Sequence, residues 1–236
     1  MILKSKIFIV MLLSVLSIFT TEGAVLTGRY EGICTLQGDL VDNWAVIDLD
    51  GEDAEFNFGG EMNFLSPYKE TGTASDRVVT STVPGGYKWV FKSTDGGESL
   101  QGTLPFMGKT LKVWVVKVPR RPKLAQESED VLKEIISSND GYTSFIKVYQ
   151  PGGVVACITS DFSFGPDDTF AIKCDSQVVQ DILSNLSGTY KIEGNKIILT
   201  DNQGVTFNGD IYNKGSYLVI PLGNHGSKRL EMVLIR

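Results

Sequence analysis

Histidine is nearly absent from this chain of 236 residues: His225 stands alone. One imidazole cannot build the usual His-rich zinc site, and acid–base chemistry near neutral pH draws on this side chain first. The chain also lacks a Cys-x-x-Cys pair, a Gly-x-Ser-x-Gly elbow, a phosphate loop and a dinucleotide fingerprint. His225 lies in Gly223-Asn-His-Gly-Ser227 and reads as a solvent-facing turn residue. Positive charge is in deficit as well, with 22 Lys and Arg against 28 Asp and Glu, a net of −6. That field has the wrong sign for nucleic acid or an anionic lipid surface, so neither is expected as a partner.

Long apolar runs are equally scarce. The one present, Ile7–Phe19, is broken only by Ser14 and Ser17. Lys4 and Lys6 precede it, and Thr20, Thr21, Gly23 and Ala24 follow as a small-residue exit. This is the layout of a secretory signal peptide over residues 1–24, and the run is too short to span a bilayer comfortably. The expectation is a mature chain that begins near Val25, is secreted, periplasmic or extracellular, and keeps no membrane span. Glu31-Gly32-Ile33 before Cys34 is not a lipidation box.

Cysteine is limited to Cys34, Cys157 and Cys174. An oxidising compartment permits disulfides, and an odd count leaves one thiol over. Cys157 and Cys174 flank a turn at Gly165-Pro-Asp-Asp168. They read either as a cross-strand disulfide or as two buried thiols packed as small hydrophobes.

From Val25 onward, runs of Val, Ile, Tyr, Phe, Trp and Thr alternate with Gly, Asn and Asp clusters, the pattern of strands and tight turns. Strands are expected at Gly28–Gln37, Asn43–Leu49, Ala54–Phe64, Arg77–Val83, Tyr87–Lys92, Leu100–Phe106 and Thr110–Val118. In Tyr87–Lys92, Tyr87, Trp89 and Phe91 share one face, while Lys88, Val90 and Lys92 share the other, which reads as solvated. The stiff basic stretch Pro119-Arg-Arg-Pro-Lys123 opens a linker over 119–127. Val131, Leu132, Ile135 and Ile136 then form an apolar helical stripe over Ser128–Ser138. Further strands follow at Tyr142–Tyr149, Val154–Phe164 and Thr169–Lys173, then a second helix at Ser176–Leu186. A meander over Thr189–Ile235 finishes the chain. Within it, Asn208-Gly209 predicts a type I′ hairpin between Val205–Phe207 and Asp210–Tyr212. Gly102, Leu104, Gly108, Leu111 and Val113 match Gly209, Ile211, Gly215, Leu218 and Ile220 at a constant offset, a faint internal repeat. The fold class expected is all-β with two short helices. It comprises two small antiparallel, meander- or barrel-like domains, 25–118 and 128–236.

Phe162-Ser-Phe-Gly-Pro-Asp-Asp-Thr-Phe170, followed by Leu186-Ser-Gly-Thr-Tyr-Lys-Ile-Glu-Gly-Asn-Lys-Ile-Ile-Leu199, resembles the lipocalin-like (calycin-type) domains of secreted Bacteroidetes proteins. The resemblance covers about a third of the chain and implies a small antiparallel barrel or half-barrel at the C-terminal end. It implies no catalytic residue. Lipocalins open with Gly-x-Trp, whereas the comparable positions here read Gly28-Arg29-Tyr30 and Gly188-Thr189-Tyr190.

Two kinds of site remain. Asp48, Asp50 and Asp53, within the acidic cluster that ends at Glu55, suggest a loose Ca²⁺ site. The EF-hand spacing fails, because Asp53 stands where glycine is needed and Gly59 where glutamate is needed. Trp114 and Trp44 are the candidate ligand-binding aromatics, since aromatic side chains stack on flat ligands and anchor partners. No cofactor is expected. The reading is a secreted, non-enzymatic binding or surface-associated module whose ligand is a small molecule, a glycan or a protein. The alternatives are a carboxylate-dependent hydrolase of glycans or peptides, and a structural subunit of a cell-surface assembly.

Overall fold

The computed structural model describes residues 25–39, 42–60, 62–138, 141–151, 153–165, 167–174 and 187–236. The signal peptide expected over residues 1–24 and the second helix expected at Ser176–Leu186 lie outside the described residues. Strands β1 (Gly28–Leu36), β2 (Asn43–Leu49), β3 (Asp53–Phe58), β4 (Met62–Gly72), β5 (Arg77–Val83), β6 (Tyr87–Ser93), β7 (Ser99–Phe106) and β8 (Lys109–Val118) run in sequence order around a closed antiparallel barrel. Helix α1 (Glu129–Ser137) follows. A second closed barrel is built from β9 (Tyr142–Gln150), β10 (Gly153–Phe164), β11 (Thr169–Lys173), β12 (Ser187–Glu193), β13 (Lys196–Asp201), β14 (Thr206–Tyr212), β15 (Tyr217–His225) and β16 (Lys228–Ile235). Each barrel closes by pairing its first strand with its last, β1 with β8 and β9 with β16. Closure removes the exposed sheet edges that invite aggregation. Two eight-stranded up-and-down barrels agree with the all-β expectation and with a lipocalin-like barrel fold.

Alternation decides what fills each barrel. In β6, Trp89 and Phe91 point inward and are buried, while Lys88 and Lys92 are exposed. Trp89 meets Phe56 edge-on at 5.3 Å, Phe56 stacks on Phe91 at 5.6 Å, and Phe58, Phe64 and Phe106 close around the indole. The polar ends of these rings are satisfied. Trp89 Nε1 donates to Pro105 O at 3.0 Å, and Tyr30 OH to Gly97 O at 2.7 Å. The second barrel is filled by aliphatic side chains such as Ile146, Leu199 and Leu230, with Phe162 stacked on Phe170. Helix α1 adds Leu132 and Ile136 to that core.

Three sequence expectations change. Ala54–Phe64 is not one strand: Gly59 and Gly60, both at positive φ, turn the chain between β3 and β4. β4 continues to Gly72, well past the Phe64 end expected for that strand. Asn208-Gly209 makes no hairpin, because β14 runs straight through it. A Cβ at Gly209 would lie 2.5 Å from Ile220 Cγ1 and 2.9 Å from Val219 O, so glycine is required by close approach rather than by φ. The repeat aligns two hairpins, β7–β8 and β14–β15, which take the seventh and eighth positions of one barrel but the sixth and seventh of the other. Gly188 is another point of close approach, its Cβ position 1.9 Å from Thr200 O.

The outer faces of the two barrels pack together. Ile33, Trp44, Trp114 and Val116 of the first meet Phe145, Cys157, Tyr217, Val233 and Ile235 of the second. Phe145 takes Trp44 edge-on at 5.7 Å and Trp114 tilted at 5.7 Å. Cys157 N–H donates to Asp42 O at 3.0 Å, a main-chain bond from one barrel to the other. Beside this seam lie Glu31 and Lys147, each only 7 % exposed, 3.3 Å apart. Arg29 Nε donates to the other Glu31 oxygen at 2.7 Å, and Lys147 Nζ sits 3.9 Å above the Trp44 ring.

Removing one member of a buried ion pair strands the other charge. Lys147→Ala is expected to lower unfolding free energy in urea by about 3–5 kcal/mol. Lys147→Met combined with Glu31→Leu should recover most of that loss, and equal losses would show the two charges to be uncoupled. Gly188→Ala, which drives a methyl into the β13 main chain, should cost about 1–3 kcal/mol and lower the melting temperature.

Candidate functional site

The charges of the first barrel are segregated by strand. β5 to β8 carry Arg77, Lys88, Lys92, Lys109, Lys112 and Lys117 and no Asp or Glu. The strand acids Glu31, Asp48, Asp53, Glu55 and Glu70 all lie on β1 to β4. One wall of an acidic protein is therefore cationic.

A groove of about 510 Å³ runs along that wall over β6, β7 and β8. Val90 and Lys92 of β6, Gln101 and Thr103 of β7, and Lys112 and Trp114 of β8 form its sides, with Gly102 and Val113 at its floor. Alternation places them: even positions face outward on β6 and β8, odd positions on β7. The pairing of β6 with β7 is sparse, registered at Lys92 opposite Gln101, so the wall is furrowed there. Gly102 permits the tight fit beneath, since a Cβ at this position would lie 2.8 Å from Val90 O and 3.2 Å from Phe91 Cδ1. Lys92 and Lys112 are exposed, and Trp114 is half-buried between the groove and the barrel seam. The indole N–H of Trp114 has no protein acceptor among the described residues.

A carboxylate fastens the β6–β7 connection at the groove's end. Asp95 Oδ1 accepts Ser93 Oγ–H at 2.6 Å and the Glu98 and Ser99 N–H groups at 3.0 Å each, while Ser99 Oγ–H donates to Oδ2. Partial burial opposes the charge, but the Ser93 and Ser99 hydroxyls and these amides outweigh it and hold the carboxyl at about 2.

The other sequence candidates fall elsewhere. Trp44 stands in the seam under Lys147 and against Phe145 rather than on a free surface. The cluster Asp48, Asp50 and Asp53 does not converge on one point. Asp48 pairs with Arg120, and Asp50 Oδ1 caps the β2–β3 turn by accepting the Glu52 and Asp53 N–H groups at 3.0 and 2.8 Å. Among the described residues, no group of three or more His, Cys, Asp or Glu side chains is placed to hold a metal ion. The three thiols are free. Cys157 faces outward into the seam, whereas Cys174 packs against the barrel interior with Sγ 3.9 Å from Thr159 O. The two therefore lie on opposite faces of the sheet, and the cross-strand disulfide gives way to separate thiols. Burial raises the Cys34 thiol to about 12 and pushes Cys157 well above its ordinary value, which keeps both protonated and unreactive. His225 is exposed at the end of β15. No helix among the described residues is long and apolar enough to cross a membrane.

No family model, curated protein or solved structure matches this chain. Sequence reasoning does not single out the groove lysines as site residues: Lys92 reads as part of a solvated strand face, and Lys112 is not among the named candidates. Their signal is the lack of any acid within the four strands β5 to β8, the acids of that stretch being confined to the β6–β7 connection.

Because the Asp95 carboxyl titrates below the ordinary value near 4, its network stabilises the fold fully above about pH 4 and loses that contribution as pH falls toward 2. Asp95→Asn is expected to be less stable than the natural chain at pH 7, with the gap closing by about pH 2. Thermal melts across that range read the difference directly.

Proposed function

We propose that this protein is a secreted, non-enzymatic binding module that holds an acidic glycan in the groove over β6, β7 and β8. The observation that carries this reading is one flat aromatic, Trp114, beside exposed Lys112 on β8 and across β7 from exposed Lys92, on strands that carry no Asp or Glu. Sugar rings offer C–H faces to an indole, and their carboxylate or sulfate groups offer charge to lysine. Gln101 and Thr103 supply hydroxyl and amide partners between those points. The volume of the groove suits a segment of two or three sugar rings, within the usual range of about 300–1,000 Å³ for ligand sites. Aromatic packing occupies the middle of the first barrel, so the outer wall, not the lumen, is the surface available to a ligand there. The segment over residues 1–24 supports export, and the Phe162–Leu199 resemblance to calycin-type domains of secreted Bacteroidetes proteins supports the same placement. Kinship with those domains is part of the proposal.

Electrostatic attachment to an exposed site is screened by salt. Retention on immobilised polygalacturonate, chondroitin sulfate and heparin is expected at low ionic strength, falling as salt rises, with neutral dextran not retained. Lys92→Gln with Lys112→Gln should weaken binding about tenfold or more while leaving the melting temperature unchanged. Equal retention of dextran, or indifference to the two lysines, would sink the glycan reading. Binding should also perturb tryptophan fluorescence, since Trp114 borders the groove.

A further inference from the structure

The residues ahead of β1 cross one mouth of the first barrel. In the closed ring β1 adjoins β2 and β8, and β4 and β5 stand on the far side. Leu26, two residues before β1, is nevertheless held by that far side. Its N–H donates to Glu70 Oε2 of β4, and its carbonyl accepts Tyr68 OH at 2.6 Å. Arg77 Nη1 of β5 donates to the other Glu70 oxygen at 2.6 Å. The Leu26 side chain is 5 % exposed and joins the core of the first barrel, whereas Val25 beside it is exposed.

The socket fits this one residue. A Cβ at Gly97, in the β6–β7 connection, would lie 2.5 Å from Leu26 Cδ1, so glycine leaves the space that leucine fills. Gly97 is itself fixed, its carbonyl accepting Tyr30 OH at 2.7 Å and its N–H donating to Ser93 Oγ at 2.8 Å. On the β2–β3 side, Thr27 Cγ2 stands 3.7 Å from the Cβ position of Gly51, and Tyr68 N–H donates to Glu52 O at 3.1 Å. A leucine drawn into a core needs only an apolar pocket. Here its main-chain N–H and C=O are met as well, by side chains of one strand, so the three contacts form and break together.

Nothing in the barrel ladder depends on this segment. Val25, Leu26 and Thr27 belong to no strand or helix, and the pairing of β1 with β8 begins at Arg29 opposite Val118. Gly28, at φ 143°, bends the chain between segment and strand. A short piece held by side chains, hinged at glycine and outside the ladder, is the kind of unit that opens locally while the fold persists.

We propose that Val25–Thr27 is a latch on the first barrel: seated, Leu26 shuts this mouth, and swung out about Gly28 it opens the mouth while the ring of strands stays closed. Opening turns the Tyr68 hydroxyl and one Glu70 oxygen to water. The latch stands on these contacts alone and does not rest on the glycan groove.

Amide hydrogen exchange followed by NMR tests it. In the natural chain the Leu26 amide is expected to be less protected than that of the buried Val79 of β5 by about tenfold or more, because it opens without unfolding the ring. Leu26→Asn should speed exchange at Tyr68 and Gly97 by about tenfold or more. Gly59, whose N–H donates to Trp44 O at the opposite end of the barrel, should keep its rate. Tyr68→Phe, which keeps the ring and loses only the hydroxyl, should speed exchange at Leu26 and leave Gly59 unchanged. Leu26 protection equal to that of Val79, unchanged exchange at Tyr68 and Gly97 in Leu26→Asn, or an equal rise at Gly59 would overturn the inference, the last by marking a general loss of stability rather than the opening of one end.

Discussion

Everything else in this molecule hangs on how two filled barrels meet along their sides. A barrel alternates inward and outward residues, and its outward set is normally left to water. Here β9 breaks that rule: Ser144, Phe145, Ile146, Lys147 and Val148 are buried in unbroken succession, because one face meets the core and the other meets the neighbouring barrel. Lys147 tolerates that position through Glu31, with Arg29 beyond it and the Trp44 ring beneath. An ion pair so placed adds little net stability, but it penalises every docking that leaves either charge alone. The seam is thereby fixed in register as well as in area.

That register has a consequence for the groove. Trp114 presses one side on Phe145 and turns the rest of its surface to β7, so the second barrel backs the first barrel's candidate binding wall. The cationic strands lie to one side of this contact and the acidic strands to the other. Segregation of this kind lets an acidic protein present a positive surface to an acidic ligand while its overall charge keeps it soluble.

Legibility in the sequence followed the physics of each element. The Tyr87–Lys92 alternation shows its inward and outward faces because that strand is half-buried, and the α1 stripe shows itself because it caps one core. Lys147 concealed the second burial of β9, since a lysine in a strand reads as a mark of solvent until its carboxylate partner, 116 residues away, is known. Glycine misled in both senses, at Gly59-Gly60, a turn inside an expected strand, and at Gly209, a strand residue inside an expected turn. Asn208-Gly209 has the composition of a turn, but Gly209 is small for the sake of Ile220 and Val219, a demand made by a strand distant in sequence. Lys133, Asp168 and Tyr190 escaped notice for the same reason: they are separated along the chain and are brought together by the β10–β11–β12 pairing and docking of the helix.

The main-chain bond from Cys157 N–H to Asp42 O reaches beyond local geometry. A backbone donor cannot be altered by substitution of its side chain, apart from proline, so this link persists through nearly all sequence drift at position 157. The two barrels are thus not beads that recombination can deal out singly. A lineage that inherited the second alone would inherit an orphan amide and a bared face of Phe145, Val233 and Ile235, and it would need a new cover for them before it could travel on its own.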